Sequence, residues 1–433
     1  MIDPVLDSGN TAWLLAASAL VLLMAPGLAL FYGGLVRSKS VLNMMMMTFG
    51  SLAVIAVIWT LVGYSLAFGD DLGGGLLGDP TQFAGLGQLM GPDDIHPAGV
   101  PWILFAVFQG LFCVITGALV SGAIADRARF GAWLVFVAVW TLVVYAPVAH
   151  WVFDFSSGDH EGGWLANQVG LVDFAGGTAV EICSGASALA LALVLGPRIG
   201  FGREPMRPHN LTLVMLGAGL LWFGWFGFNA GSALGASVDA AVVFTTTLLA
   251  GAGGALGWLL LERIRYGHGT SLGAASGLVA GLVAITPSCG SLSPTGAIVM
   301  GLVAGIVCAL AVGLKYRWKY DDSLDVVGVH MVGGLIGTFG IGLIATAAAP
   351  TGVDGLLYGG GADQLGKQLL GGGVVLAYAF VVSGIIGLVI HKTMGFRIDE
   401  EHEVGGIDLA VHVESAYDLH GTSSSTTPGG LGT

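Results

Sequence analysis

The chain has 433 residues, of which 55% are hydrophobic and only 10% are charged, and its mean hydropathy is +0.83. Soluble domains carry about 25% charged residues, so this composition excludes a soluble enzyme and predicts a polytopic protein of the lipid bilayer. With only 15 Lys and Arg residues and a net charge of −13, the chain offers no basic face for nucleic acid.

Apolar runs of about 20 residues predict membrane-spanning helices, and the chain has eleven of them. The first run has no Lys or Arg before it, so it predicts the first spanning helix rather than a secretory signal peptide. The fold expected is therefore all-α. The runs lie near 12–35, 41–68, 101–125, 131–153, 174–196, 210–233, 239–261, 271–287, 293–314, 326–349 and 369–391.

The basic residues predict the orientation of these helices. Every Lys and Arg except Lys367 follows an odd-numbered run. Loops rich in Lys and Arg stay in the cytoplasm, so the N-terminus is predicted outside and the C-terminus inside. Acidic residues are concentrated in the outer loops, where they either keep the loops soluble or attract cations.

The end of the chain differs in composition from the rest. We predict a transmembrane domain over 1–395 and a polar cytoplasmic tail over 396–433, of which about 421–433 is low-complexity and disordered. The four cysteines lack metal-type spacing, and neither a metal nor a cofactor is expected.

Two ionisable residues interrupt apolar runs. Glu181 lies about 12 Å along its helix from Asp173, and His330 lies about 7.5 Å from Asp325. These helices run in opposite directions, so both side chains are expected near mid-depth. The pattern predicts an inverted repeat of five plus five helices, with the eleventh added. Asp173 and Asp325 are expected mainly as helix N-caps.

Aromatic residues surround this acid–imidazole pair in the sequence. They could form an interfacial belt, a cation–π site or a block in a pore, and the pattern leaves these alternatives open. The pattern indicates movement of protons or small cations, but it does not identify a substrate. The aromatic residues are Phe108, Phe112, Trp151, Phe153, Trp222, Phe223, Trp225, Phe226 and Phe228, with Ser232 close by.

The segment "DFAGGTAVEICSGASALALALVLGPR" (173–198) resembles the signature of the Amt/Mep/Rh ammonium transporter family, in its bacterial-type Amt form. The motifs "PHNL", "GWFGFNAGS", "TPSCG", "DVVGVH" and "EVGGIDLAVHVESAY" are similar as well, and the resemblance covers residues 10–417. It implies a homotrimer in the cell membrane that transports ammonium or ammonia and is not an enzyme. It also implies that a PII-type signal protein can dock at the cytoplasmic face.

The resemblance also implies roles for individual residues. Family members pair two pore histidines, and here His330 matches the second while Glu181 replaces the first, as in some fungal Mep-type members. Phe153 stands where tryptophan is usual. The implied sets are Phe108, Phe153, Ser232 and Asp173 for recruitment, Phe112 and Phe228 for a gate, Glu181 and His330 for proton relay, and Trp225 beside the pore.

The mechanism proposed for the family is deprotonation of NH4+, with NH3 and H+ crossing separately. Two alternatives remain at this point. An ammonium sensor is disfavoured because residues 396–433 are too short for the signalling domain of sensor relatives. An Rh-like NH3 gas channel is disfavoured by the Amt-like signature and tail.

Overall fold

The structure is a computed structural model that describes residues 5–158 and 160–417. Every regular element within these ranges is a helix, and the ranges contain no β-strand. Eleven apolar helices follow one another, and ten are long enough to cross a membrane, the exception being α8. They are α1 (Ser8–Leu35), α2 (Val41–Phe68), α3 (Trp102–Ile124), α4 (Phe130–Phe153), α5 (Gly177–Leu195), α6 (Leu211–Gly231), α7 (Val238–Tyr266), α8 (Ser271–Ile285), α9 (Pro294–Trp318), α10 (Val327–Ile344) and α11 (Asp363–Thr393).

Each predicted apolar run overlaps one of these helices. The prediction of an all-α membrane protein is confirmed, and ten of its eleven spans are confirmed as long apolar helices. Helix α8 has 15 residues, which is about 22 Å at 1.5 Å per residue, shorter than a hydrocarbon core of about 30 Å. Its assignment as a spanning helix stays a prediction.

Polar side chains define the starts of several helices. An oxygen that accepts from a backbone N–H of the first turn satisfies a donor that the helix itself leaves unpaired. Such caps are typical where a helix begins just after a polar loop. The caps are Asp7 for α1, Asn210 for α6, Ser237 for α7, Thr270 for α8 and Ser293 for α9.

Close helix packing explains part of the high glycine content. Helix α1 packs along α6, and α7 packs against both α8 and α9. A Cβ atom at Gly217 would collide with the backbone of Phe31, and one at Gly254 would collide with the backbone of Gly277. Small residues at such crossings let apolar helices gain van der Waals contact where no hydrophobic effect drives them together.

Helices α5 and α10 both begin with a π-helical turn. The turns span Gly177–Ile182 and Val327–Met331. A π turn adds a residue to the helical repeat and is frequent at functional sites. The two turns contact one another in the interior of the protein. The starts of α5 and α10 therefore lie next to each other.

The chain after α11 packs on the ends of the helices. Phe396 is fully buried, and the short helix α12 (Glu400–Gly405) follows it. The Asp408 carboxylate accepts from the backbone N–H groups of Leu42 and Asn43, at 3.0 and 2.8 Å, and so caps α2. The segment of about 421–433 that was predicted to be disordered lies outside the described residues.

Candidate functional site

A wide cavity, here called the vestibule, opens beside the start of α5 and has a volume of about 760 Å³. Phe153, Asp173 and Ser232, three of the four predicted recruitment residues, line it together with Phe112. The fourth, Phe108, is fully buried, and its ring packs against Phe112 with centroids 5.0 Å apart. Phe108 therefore supports the vestibule wall from behind.

Ser232 and Phe153 give the vestibule two kinds of partner for a cation. The Ser232 hydroxyl donates to the carbonyl of Phe228 at 2.9 Å, which leaves its oxygen lone pairs to accept. An aromatic ring attracts a cation through its face. The cavity therefore contains both a hydrogen-bond acceptor and an aromatic ring as partners for a small cation.

Two phenylalanine rings close the narrow end of the vestibule. Phe112 and Phe228 stack with centroids 3.9 Å apart and an interplanar angle of 15°. Phe112 lines the vestibule, while Phe228 lines a second cavity on the far side. The stacked pair, which the sequence predicted as a gate, separates the two spaces.

The second cavity, here called the inner cavity, is narrow and mostly apolar. Its volume is about 10 Å³, about what one water molecule needs. Glu181 and His330 line it along with Trp225, whose indole N–H donates to Thr286 Oγ1 at 2.8 Å. Because that N–H is occupied, Trp225 presents its apolar ring to the cavity.

Glu181 and His330 form a direct hydrogen bond. His330 Nδ1 lies 2.7 Å from Glu181 Oε2, and the two residues are 4% and 1% exposed. Each side chain is carried by one of the two π-helical turns. Since Nδ1 is engaged by the carboxylate, Nε2 is the ring nitrogen left to meet a molecule in the inner cavity. A carboxylate and an imidazole at this distance can exchange a proton.

Asp173 holds the start of α5. Its Oδ1 accepts from the N–H groups of Gly176 and Gly177 at 2.7 and 2.8 Å, and its Oδ2 accepts from the Thr178 N–H at 2.7 Å and from the Thr178 hydroxyl. Gly176 has φ 111°, a conformation that favours glycine. The predicted capping role of Asp173 is thus confirmed, and the cap fixes the turn that carries Glu181.

The corresponding prediction for Asp325 was wrong. Asp322 caps α10 instead, because its carboxylate accepts from the N–H groups of Val326 and Val327 at 3.0 and 2.7 Å. Asp325 has φ 64° and forms an ion pair with Lys315 at 2.6 Å. In "DDSLDVV" several carboxylates precede the helix, and the tight turn at Asp325 directs its side chain away from the helix start.

Comparison with known proteins identifies the chain. A sequence profile described as Ammonium Transporter Family matches residues 12–417. The chain belongs to the ammonium transporter family. The ammonium transporter of Mycobacterium tuberculosis strain H37Rv is 54% identical over 444 residues, covering 98% of this chain and 93% of that protein. The chain therefore transports ammonium, as the resemblance of its motifs to this family predicted.

Solved structures of the family share this fold. Saccharomyces cerevisiae Mep2 is 37% identical, with a TM-score of 0.83 over 92% of this chain and 88% of that one. A structure titled "Sensor Amt Protein" is 29% identical, with a TM-score of 0.85 over 93% and 98%. The fold is common to both, so it does not favour sensing over transport for this transporter.

The structure adds a network of acids and histidines at the vestibule that the sequence did not predict. His160 lies between two carboxylates, with Nδ1 3.0 Å from Asp70 and Nε2 2.9 Å from Asp154. Asp154 also lies 3.2 Å from His150, which contacts Asp71 at 3.3 Å. About 80 positions separate the two acidic segments of this network along the chain, so no local spacing could have revealed it.

Charge and burial shift the pKa values of the histidines at the vestibule in opposite directions. Hydrogen bonding to Asp154 raises the pKa of His160 from 6.5 to about 9, whereas burial raises the pKa of Asp154. Burial lowers the pKa of His96 to about 4, and this ring stacks on Phe105 with centroids 4.7 Å apart. At neutral pH the vestibule therefore carries a charged His160 and an uncharged His96.

We expect the His160 ion pair to give transport an alkaline limit. Because the pKa of His160 is higher in the folded protein, its protonation stabilises the folded vestibule wall fully below about pH 6.5. This stabilisation is lost as the pH rises through about 9. His160→Gln should remove this step and lower transport at pH 7 by no more than about fivefold, since partly exposed ion pairs contribute roughly 0–1 kcal/mol. Ammonium-elicited currents between external pH 6 and 10, compared at equal concentrations of NH4+ because ammonium itself deprotonates in this range, measure the effect.

Glu161→Gln is the matched control, because Glu161 is exposed in the same loop and makes no hydrogen bond or ion pair with the described residues. It should keep the wild-type pH profile. If the current of the His160→Gln protein still declined at alkaline pH as in the wild type, another titrating group would be responsible for the decline.

Proposed function

We propose that the transporter recruits NH4+ in the vestibule, deprotonates it, and passes NH3 and H+ separately across the cytoplasmic membrane. Each subunit of a homotrimer would contain one complete path. The observation that carries the proposal is the division of the path by Phe112 and Phe228 into a wide polar vestibule and a narrow cavity with an acid–imidazole pair.

Recruitment rests on the charge and chemistry of the vestibule. A hydrated cation enters a space of about 760 Å³ and exchanges water for the Ser232 oxygen and the face of Phe153. Asp173 adds negative charge at the same wall, although four donors of its own turn occupy its carboxylate. Asp173 acts through the negative electrostatic potential of its carboxylate and by fixing the backbone of the vestibule wall. It is not assigned as the proton acceptor.

The gate and the inner cavity favour a neutral molecule. Transfer of an ion into an apolar space without compensating partners is strongly unfavourable, and the inner cavity has room for about one water. NH3 is small and uncharged, so it can pass when the rings of Phe112 and Phe228 move apart. The proton follows a separate route.

In the proposal the Glu181–His330 pair accepts the proton that NH4+ loses and releases it toward the cytoplasm. Either partner of the hydrogen bond can hold the proton, because the carboxyl group is a donor when protonated and an acceptor when ionised. The pair titrates as one unit. Replacement of the usual histidine by Glu181 therefore retains a relay and changes the pH range in which it works.

The orientation and the inverted repeat belong to this proposal as well. The N-terminus lies outside, the tail lies in the cytoplasm, and α8 crosses the membrane as the eighth span. The paired caps of Asp173 and Asp322 support a relation between α1–α5 and α6–α10, since each carboxylate holds the π-helical turn that begins its helix.

We also propose two functional parts, a transport domain over 1–395 and a cytoplasmic regulatory tail from 396 onward. Arg397 forms an ion pair with Glu403 at 2.8 Å, and Glu403 accepts from the Ile199 N–H at 2.7 Å. With the Asp408 cap on α2, the tail contacts both the first turn of α2 and the loop after α5. We propose that this tail couples neighbouring subunits and receives a PII-type protein.

The test is electrical. Purified protein in liposomes on a solid-supported membrane is pulsed with ammonium, with potassium pulses and protein-free liposomes as controls. We expect a transient inward positive current with ammonium only. Uptake of NH3 without current would favour an Rh-like gas channel, and saturable ammonium binding without flux would favour a sensor.

Deletion of 397–433 should lower transport several-fold and abolish binding of a PII-type protein. The deletion removes the Asp408 cap from α2 and the partner of Ile199 from the membrane domain. Currents and a pull-down with a purified PII protein measure the two effects. Deletion of 418–433 alone is the matched control and should leave both unchanged. Full transport and full PII binding in the larger deletion would contradict a regulatory tail.

A further inference from the structure

Two buried glutamines of α11 have no part in the mechanism above. Gln368 is fully buried and Gln364 is 7% exposed. A buried amide is costly unless both its oxygen and its nitrogen find partners. The partners of these two side chains therefore indicate why the helix carries them.

Gln368 hydrogen-bonds to both backbone groups of one residue outside its helix. Its Oε1 accepts from the Val172 N–H at 2.9 Å, and its Nε2 donates to the Val172 carbonyl at 2.8 Å. The same Nε2 donates to the Thr338 carbonyl of α10 at 3.1 Å. The Gln368 amide thus hydrogen-bonds to Val172 in the way that the backbone of a neighbouring β-strand would. Through Thr338 it also connects Val172 to α10.

Gln364 fixes the orientation of that amide. Its Nε2 donates to Gln368 Oε1 at 2.9 Å and to the Gly170 carbonyl at 3.3 Å. An amide with all its partners engaged cannot flip without losing several of them. The two glutamines therefore form one rigid unit against residues 170–172.

Val172 directly precedes Asp173 and itself lines the vestibule. The backbone here is not helical, so its polar groups need partners other than helix hydrogen bonds. On the other side of Asp173, the Phe174 N–H donates to the Pro287 carbonyl at 3.0 Å. Asp173 is thus held between two anchors, Gln368 of α11 and Pro287 beyond α8.

We infer that Gln368, oriented by Gln364, is a positioning residue for ammonium recruitment: it sets the place of Asp173 and the vestibule wall by holding the backbone of Val172. The inference rests on the recruitment step of the proposed function. It gives α11, the helix outside the proposed five-plus-five repeat, a direct connection to the site.

The test uses Gln368→Met, which keeps the length of the side chain and removes its hydrogen bonds. We expect the half-saturating ammonium concentration to rise about tenfold while the maximal current is largely retained. Gln368→Glu should rescue most of the shift, because a protonated carboxyl group in an apolar site can still accept from and donate to Val172.

Ser383→Ala is the matched control on the same helix. Ser383 is fully buried and donates to Ser187 Oγ at 2.8 Å, fifteen positions from Gln368. This variant should lower the Tm without moving the half-saturating concentration. If Gln368→Met fails to fold, Gln364→Met should give a smaller shift in the same direction.

An unchanged half-saturating concentration in the folded Gln368→Met or Gln364→Met protein would overturn the inference. So would a loss of maximal current and Tm alone, as expected for Ser383→Ala. The wild-type current decides the proposed function separately. If that current were absent, thermal stabilisation by ammonium would still compare recruitment in the wild-type and variant proteins.

Discussion

Glu181→Gln should reduce the ammonium-elicited current by at least about 100-fold, the usual scale of a lost acid–base group. Glutamine retains the shape of the side chain and can still accept a hydrogen bond from His330 Nδ1, now 2.7 Å from the carboxylate. It cannot take up a proton. Currents from reconstituted protein, compared at equal amounts of folded transporter, measure the loss.

Glu181→His is the companion variant, because it restores the usual pair of the family. Transport should survive with a shifted pH profile or altered selectivity against potassium. The competing explanation is that Glu181 only braces α5 against α10. If that explanation is correct, the Glu181→Gln protein would transport ammonium almost normally. That result would assign Glu181 a purely structural role.

Asp173→Asn should be the other severe substitution, costing on the order of 2–3 kcal/mol of stability and about 100-fold in transport. The carboxylate accepts from four donors. An amide group can accept only through its oxygen, so its NH2 would face the donors of Gly177 or Thr178. The turn carrying Glu181 would then shift. Tm and ammonium-elicited current are the measurements.

Asp322→Asn is the matched control for the cap itself. Asp322 holds the start of α10 through Val326 and Val327 and does not line the vestibule. It should lower the Tm to a similar extent and leave the half-saturating ammonium concentration unchanged. Equal effects of the two substitutions on half-saturation would argue against a recruitment role for Asp173.

Much of the fold could be predicted because the bilayer imposes it. A spanning helix must be apolar over its whole length, so ten spans are legible as runs of the right length. The run at 271–287 coincides with α8, whose 15 residues lead into a buried polar segment from Thr286 to Ser291, so its span stays a prediction. Hydropathy does not distinguish a short helix buried in protein from a spanning one.

The part of the site that could be predicted is the part that depends on how deep a residue lies along its helix. Depth along α5 and α10 placed Glu181 and His330 together, and the 2.7 Å contact confirms that proximity. The π-helical turns that orient them left no sequence signal. The His160 network and the Gln368 anchor depend on residues far apart in the chain, whose proximity only tertiary structure determines.

The stack of Phe112 and Phe228 has a consequence for cellular energetics. A membrane potential is worth about 2.3 kcal/mol per charge per 100 mV, and a continuous column of water would discharge it. With the ring centroids 3.9 Å apart and space for about one water beyond them, the path leaves no room for such a column. A membrane can therefore hold many copies of this protein and still maintain the voltage that powers its other transporters.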